Sequence, residues 1–320
     1  MKKLMLMLLL SGMLLVIAGC GEKNDRLQAV TIGYFPNASH APAMVGLEQD
    51  LFRQELAGLG LQAKTFANGS LFMDALTTGQ IDFGYVGPGP VINRYLQGGE
   101  VVVLAGASQG ENVLVVRSDL KFNGLHDLEG KVVATPSTGC THDLILRKML
   151  QEEGMAVEEN GGTVKRLAQK PATMVGLFQQ KQIDAALVSE PWASIMEALG
   201  VVKIVREADE VPWEGKLPAA VFVARKDFLT SHPDQAAALI ITNQQAIEFI
   251  NQYKEEAAGL IARQIKEVTN EVIAEDIILN SMERVAFTPE LDKVTLQEFA
   301  NLSHALGFVE TDPALAGLYR

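Results

Sequence analysis

FMDALTTGQID (72–82) and MVGLFQQKQID (174–184) are two versions of one pattern, set 102 residues apart. Each reads as a short helix running into Gln-Ile-Asp and then a buried strand, Ile81–Val86 in the first copy and Ile183–Val188 in the second. The first strand closes in Gly87-Pro88-Gly89-Pro90, read as a loop, and the second in Ser189-Glu190-Pro191-Trp192. Ahead of the first copy lie a strand at Val30–Tyr34, the loop Phe35–Ala41, a helix to about Leu51 and a strand at Leu61–Phe66. Asn68-Gly69-Ser70 opens the helix Leu71–Thr78, with Ser70 as the expected N-cap. Ahead of the second lie a strand at Lys131–Thr135, the loop Pro136–Thr141, the helix His142–Glu153 stopped by Gly154, and a strand at Val164–Ala168. Val101–Ala105 is a further apolar strand. Strands that alternate with helices predict an α/β class with parallel sheets covered by helices.

NVLVVRSD (112–119) and AVFVARKD (220–227) also resemble each other, each a strand ending in Arg-x-Asp. They bracket the second half and are the expected crossings between two lobes, 29–114 plus 222–320 and 115–221. Beyond Asp227 the chain reads as helices at Pro233–Tyr253, Glu255–Lys266, Asn270–Arg284 and Pro289–Leu306. Asp234 and Glu290 are placed in first turns, where carboxylates suit the helix dipole.

Composition fits two globular units. The chain has 320 residues, 48% hydrophobic and 21% charged. A net charge of −12 argues against a basic nucleic-acid footprint, and two cysteines exclude a disulfide framework. The mean hydropathy of +0.13 is partly set by the N-terminus. There Lys2 and Lys3 precede an apolar run of 15 residues, Leu4–Ala18. That run is too short for a comfortable membrane span and has the shape of a secretory segment. Ile17-Ala18-Gly19-Cys20 has the register of a bacterial lipobox, so residues 1–19 read as a lipoprotein signal peptide, Cys20 as the lipidated residue and 20–28 as a polar tether.

The ordered set of lipobox, VTIGYFPNASHAPA (30–43), GQIDFGYVGPGP (79–90), LEGKVVATPSTGC (128–140) and QIDAALVSEPWAS (182–194) resembles the extracytoplasmic solute-binding proteins of ABC importers. The branch is the one with nitrate-, taurine- and aliphatic-sulfonate-binding members, the NMT1-like family. The resemblance implies a two-lobed type II periplasmic binding protein fold that closes over a small solute. It implies a lipid-anchored, extracytoplasmic, monomeric chain without a cofactor, which delivers its ligand to an ABC permease and its ATPase and does not bind nucleic acid. A thiol-dependent enzyme or a ligand-sensing lipoprotein of the same fold stays open as an alternative.

Ligands of open α/β sheets bind beyond the carboxyl ends of the strands, and four loops fall there, two from each lobe. They give the candidate ligand-binding residues Asn37, Ser39, His40, Gly87, Pro88, Gly89, Ser137, Thr138, Gly139, Cys140, Thr141, Glu190 and Trp192. Ser137, Thr138 and Thr141 are also natural N-caps. Cys140 is the departure from an oxyanion-binding loop, where Gly, Ser or Thr is expected. At a helix N-terminus its thiol pKa is expected to fall. With His142 and His40 it would then make candidate ligands for a thiophilic metal, or a nucleophile–base pair. Arg94 and Arg117 are the nearest cations an anionic ligand could use, and both read first as structural or surface residues.

Overall fold

The computed structural model describes residues 29–56 and 59–320. The signal segment, Cys20 and the tether lie outside the described residues. Each helix–strand unit contributes to its own sheet. The first sheet joins β1 (Ala29–Tyr34), β2 (Gly60–Thr65), β3 (Phe83–Val86), β4 (Val101–Gly110), β10 (Pro218–Arg225) and β11 (Val285–Phe287) in the order β11-β4-β10-β3-β1-β2. The second joins β5 (Val113–Arg117), β6 (Val132–Thr135), β7 (Lys165–Ala168), β8 (Ala185–Val188) and β9 (Val202–Arg206) in the order β7-β6-β8-β5-β9. Read from β2 and from β7, the two orders match strand for strand until β11 extends the first. The copies of the helix–Gln-Ile-Asp unit end in equivalent strands, β3 and β8.

The sheets are mixed, which corrects the expectation of parallel ones. β1 pairs in parallel with β2 and β3, and β6 with β7 and β8. β10 runs antiparallel to β3 and β4, and β5 antiparallel to β8 and β9. The reason is the crossing. A strand that enters a sheet from the other lobe arrives without a helical crossover and so has no need to run parallel. The chain passes from the first sheet to the second at 111–112 and returns through 207–217.

Several local expectations change. Asn68, not Ser70, caps the helix α3 (Gly69–Thr77), its side chain accepting from Leu71 N–H at 3.0 Å. α1 (Ala41–Glu48) and α2 (Leu51–Glu55) replace the single helix expected before β2. The Gly87–Pro90 stretch is not a loop: Gly87 is the N-cap and Pro88 opens α4 (Pro88–Leu96). Proline at N1 lacks an N–H that the first turn would leave unpaired anyway. α5 (Thr141–Glu152) follows with Cys140 as its N-cap, then α6 (Pro171–Gln179) and α7 (Trp192–Ala198). The C-terminal part holds α8 (Lys226–Ser231), α9 (Pro233–Gln252), α10 (Lys254–Thr269), α11 (Glu275–Met282) and α12 (Lys293–Ala305). Asp292 caps α12 with bonds from Val294 and Thr295 N–H, so Glu290 lies before the helix instead of in its first turn.

α9 and α10 bury Leu239, Ile247, Ile250, Ile261 and Ile265 against the first sheet and its aromatic set Phe83, Tyr85 and Phe222. Tyr85 and Phe222 stack at 4.6 Å. A second apolar cluster runs through both lobes, from Phe72 and Val91 to Leu114, Leu144 and Phe299. No described helix is long and apolar enough to cross a membrane.

Candidate functional site

The carboxyl ends of β1, β3, β6 and β8 face one another across a cleft of about 70 Å³. From the first lobe it is lined by Phe35, Asn37, Ser39, His40 and Gly87; from the second, by Ser137, Cys140, Thr141, His142 and Ser189. All four loops read from the sequence reach it. Pro88, Gly89, Thr138, Gly139, Glu190 and Trp192 do not line it but sit directly behind the wall.

Four of those residues, Gly89, Gly139, Glu190 and Trp192, join the lobes. Gly89 N–H donates to Thr141 Oγ1 at 3.1 Å, and Asn93 Nδ2 donates to the Gly139 carbonyl at 3.0 Å. Trp192 Nε1 donates to Asn37 Oδ1 at 3.1 Å, so the indole is a clasp between lobes. Glu190 is fully buried; its carbonyl accepts from Ala38 N–H, and its carboxyl accepts from Ser194 N–H and from Arg284. Pro88 starts α4 directly after Gly87, where a Cβ would lie 2.8 Å from Thr141 Oγ1.

The 137–140 loop is held from below. Asp143 is fully buried and accepts from Gly139 N–H at 2.8 Å, with Arg147 at 3.3 Å and Arg166 at 3.4 Å. Arg166 also donates to Thr138 Oγ1 at 3.1 Å. Gly139 has φ +68, a conformation that favours glycine. The loop is therefore pre-shaped by two arginines that do not themselves enter the cleft.

Charge inside the cleft departs from the sequence reading. Burial pushes the Cys140 thiol up, and the nearby Asp143 carboxylate adds to it, which corrects the expected fall. Desolvation of the thiolate outweighs the helix N-terminus at this position. Burial holds His40 down at about 3 and His142 at about 4, so both imidazoles are neutral. Phe35 N–H donates to His40 Nδ1 at 3.3 Å, leaving Nε2 as the protonated nitrogen. No group of three or more His, Cys, Asp and Glu among the described residues is arranged to hold a metal, and no imidazole hydrogen-bonds Cys140. The metal centre and the nucleophile–base pair are thus not assembled. Arg94 pairs with Asp74, and Arg117 with Asp184 and Asp119, both away from the cleft.

Asn68 also lines the cleft outside the candidate set, and Glu111 is the ionisable lining residue that sequence reasoning missed. It sits at the first crossing in left-handed backbone, φ +58, and is 2% exposed. Its carboxyl accepts from Ser39 N–H at 3.2 Å and is pushed up to about 8, by burial first and by the Glu190 carboxylate. An isolated glutamate between two strands has no motif, and only the crossing brings it to the cleft floor.

Three buried polar atoms on the lining have no partner: Ser39 Oγ, Ser189 Oγ and His142 Nε2. Buried polar groups are ordinarily paired, so three orphans converging on one cleft are the mark of a site whose hydrogen bonds are completed by something bound.

The sequence profile of the NMT1-like family matches residues 23–266. A binding protein of Brucella abortus (strain 2308) is 28% identical over 214 residues, 66% of this chain and 64% of that protein. The taurine-binding periplasmic protein of Escherichia coli K12 is 28% identical over 213 residues, 66% of this chain and 63% of that protein. The match thus spans less than two thirds of the length of these curated relatives. Among solved structures, the alkanesulfonate-binding protein SsuA of Xanthomonas axonopodis pv. citri, bound to MOPS, superposes with a TM-score of 0.77 at 18% identity, covering 91% of this chain and 98% of that one. The fold is that of a periplasmic binding protein.

Proposed function

The chain belongs to the NMT1-like family, and on that premise we propose that it is the extracytoplasmic solute-binding component of an ABC importer. It captures a small solute between its lobes and passes it to a permease driven by an ATPase. The observation that carries this reading is the set of three unpartnered polar atoms in a cleft walled by both lobes. A solute there completes their bonds and ties the lobes together. The relatives named above are binding proteins, one of them for taurine. The apolar leader and the Ile17–Cys20 lipobox support a chain tethered to the membrane through a lipid on Cys20. The Cys140 thiol is pushed up, so it is not activated as a nucleophile.

A thermal-shift screen of the chain against small anions, zwitterions, cations and thiophilic metals tests the reading. A solute at 100 times its dissociation constant adds about 2.7 kcal/mol to stability. A stabilising solute that leaves the radius of gyration unchanged would count against capture between the lobes.

A further inference from the structure

The described lining of the cleft includes no lysine or arginine. Its two imidazoles are held neutral by burial, and its thiol is kept protonated. Burial keeps the Glu111 carboxyl protonated as well, but pushed up only to about 8 it is the one lining side chain that can ionise near neutral pH and answer a bound cation. Its neighbour Glu190 already has a counter-ion, Arg284 at 3.1 Å, and that guanidinium also binds Glu207 at 2.8 Å. Among the described residues nothing cationic is left for Glu111. The hydrogen bond found for its carboxyl among the described residues is the one from Ser39 N–H, whereas a carboxylate can accept about four. Its left-handed backbone holds it on the cleft floor at the crossing between lobes.

We propose that Glu111 is the ligand-recognising group of this cleft and that its ligand is a small organic cation, such as an ammonium or amidinium, instead of an oxyanion. The inference rests on the solute-binding reading above and narrows it. An ion that leaves water for a closed cleft needs an opposite charge at the end of the journey. An oxyanion entering here would meet a carboxyl and no cationic side chain. A cation would supply the partner that Glu111 lacks, while Phe35, Pro90, Pro136 and Ala219 suit an organic stem. The orphaned Ser39 and Ser189 hydroxyls accept the remaining N–H bonds, since a hydroxyl accepts as readily as it donates.

The test is calorimetric titration of the full chain with ethylammonium, guanidinium and benzamidinium chlorides, and with sodium nitrate and ethanesulfonate. At least one cation should bind, and Glu111→Gln, nearly isosteric, should weaken it about a hundredfold, the usual scale for removing one partner of a buried charge pair. A cation that binds the variant as tightly as the parent overturns the role of Glu111. Inertness to every cation overturns the ligand class, whatever the anions do, and this result is read from the parent chain even if the variant fails to fold. Tight binding of nitrate or ethanesulfonate with all cations inert overturns this inference alone and leaves the solute-binding reading standing.

Discussion

Glu111, His40 and His142 bring ionisable groups to the cleft lining, and linkage makes each a statement about stability. The Glu111 carboxyl goes from 4.5 to about 8 on folding. The folded state then holds a proton that the unfolded state has lost, so stability is full below pH 4.5 and falls as pH rises through 8. The imidazoles go the other way, from 6.5 to about 3 for His40 and about 4 for His142. Their contribution is full above pH 6.5 and is lost as pH falls, because the unfolded chain takes up the protons first. Stability therefore peaks in mildly acid solution and declines on both sides. Glu111→Gln removes the alkaline slope. Thermal denaturation from pH 5 to 8 should show the variant gaining on the parent as pH rises, on the order of a few kcal/mol by pH 8. Parallel curves across that range would show that Glu111 is ionised in the folded protein. None of this was legible in the sequence. Cys140 illustrates why: its place at a helix N-terminus was readable, but the burial that reverses the effect depends on Gly87, Gly89 and Phe308 meeting it from the other lobe.

The repeats were legible as patterns, and the structure gives them a physical cause. Asp184, the last residue of the second Gln-Ile-Asp, accepts from Val132 N–H at 2.9 Å and pairs with Arg117 at 3.0 Å. Asp82, its counterpart, accepts from Thr31 N–H at 2.8 Å and pairs with Arg225 at 2.9 Å. Those arginines belong to the two Arg-x-Asp strands, β5 and β10. The two sequence repeats are thus halves of one bolt, used once in each sheet. In each it ties the Asp strand to the first parallel strand through an N–H and to the antiparallel incoming strand through a guanidinium. Removing the carboxylate leaves an unpaired N–H and a partly buried arginine. Asp82→Ala and Asp184→Ala should each cost about 2 kcal/mol, a range set by the lost charge-assisted bonds. Denaturant unfolding measures both, and a cost near zero for either would mean that its bolt is idle. What the patterns could not show was direction. β10 and β5 read as ordinary apolar runs, and only the return of the chain from the other lobe makes them antiparallel. Pro88-Gly89-Pro90 was misread for a similar reason: the residues that punctuate loops are also those tolerated in a first helical turn.

At the scale of the whole molecule, the lobes meet through very small residues, and that contact can be blocked without touching either core. A Cβ built on Gly89 would lie 2.7 Å from Thr141 N and 3.0 Å from the Cys140 carbonyl carbon, both backbone atoms of the opposite lobe. Backbone at a helix N-terminus cannot step aside as a flexible side chain could, so alanine at this position wedges the lobes apart. Within its own lobe the substitution is benign, because Gly89 lies in the first turn of α4, where alanine is the better helix former. The bond from Gly89 N–H to Thr141 Oγ1 would be lost along with the closed contact. Gly89→Ala should therefore keep its secondary structure and most of its thermal stability, yet have a larger radius of gyration by small-angle scattering than the parent. It should also bind any solute of the cleft far more weakly, since the orphaned Ser39 on one lobe and Ser189 on the other can no longer be bridged at once. If the variant scatters like the parent and binds as well, the contact at Gly89 is not what limits closure, and the hinge at 111–112 and 207–217 holds the lobes together without it.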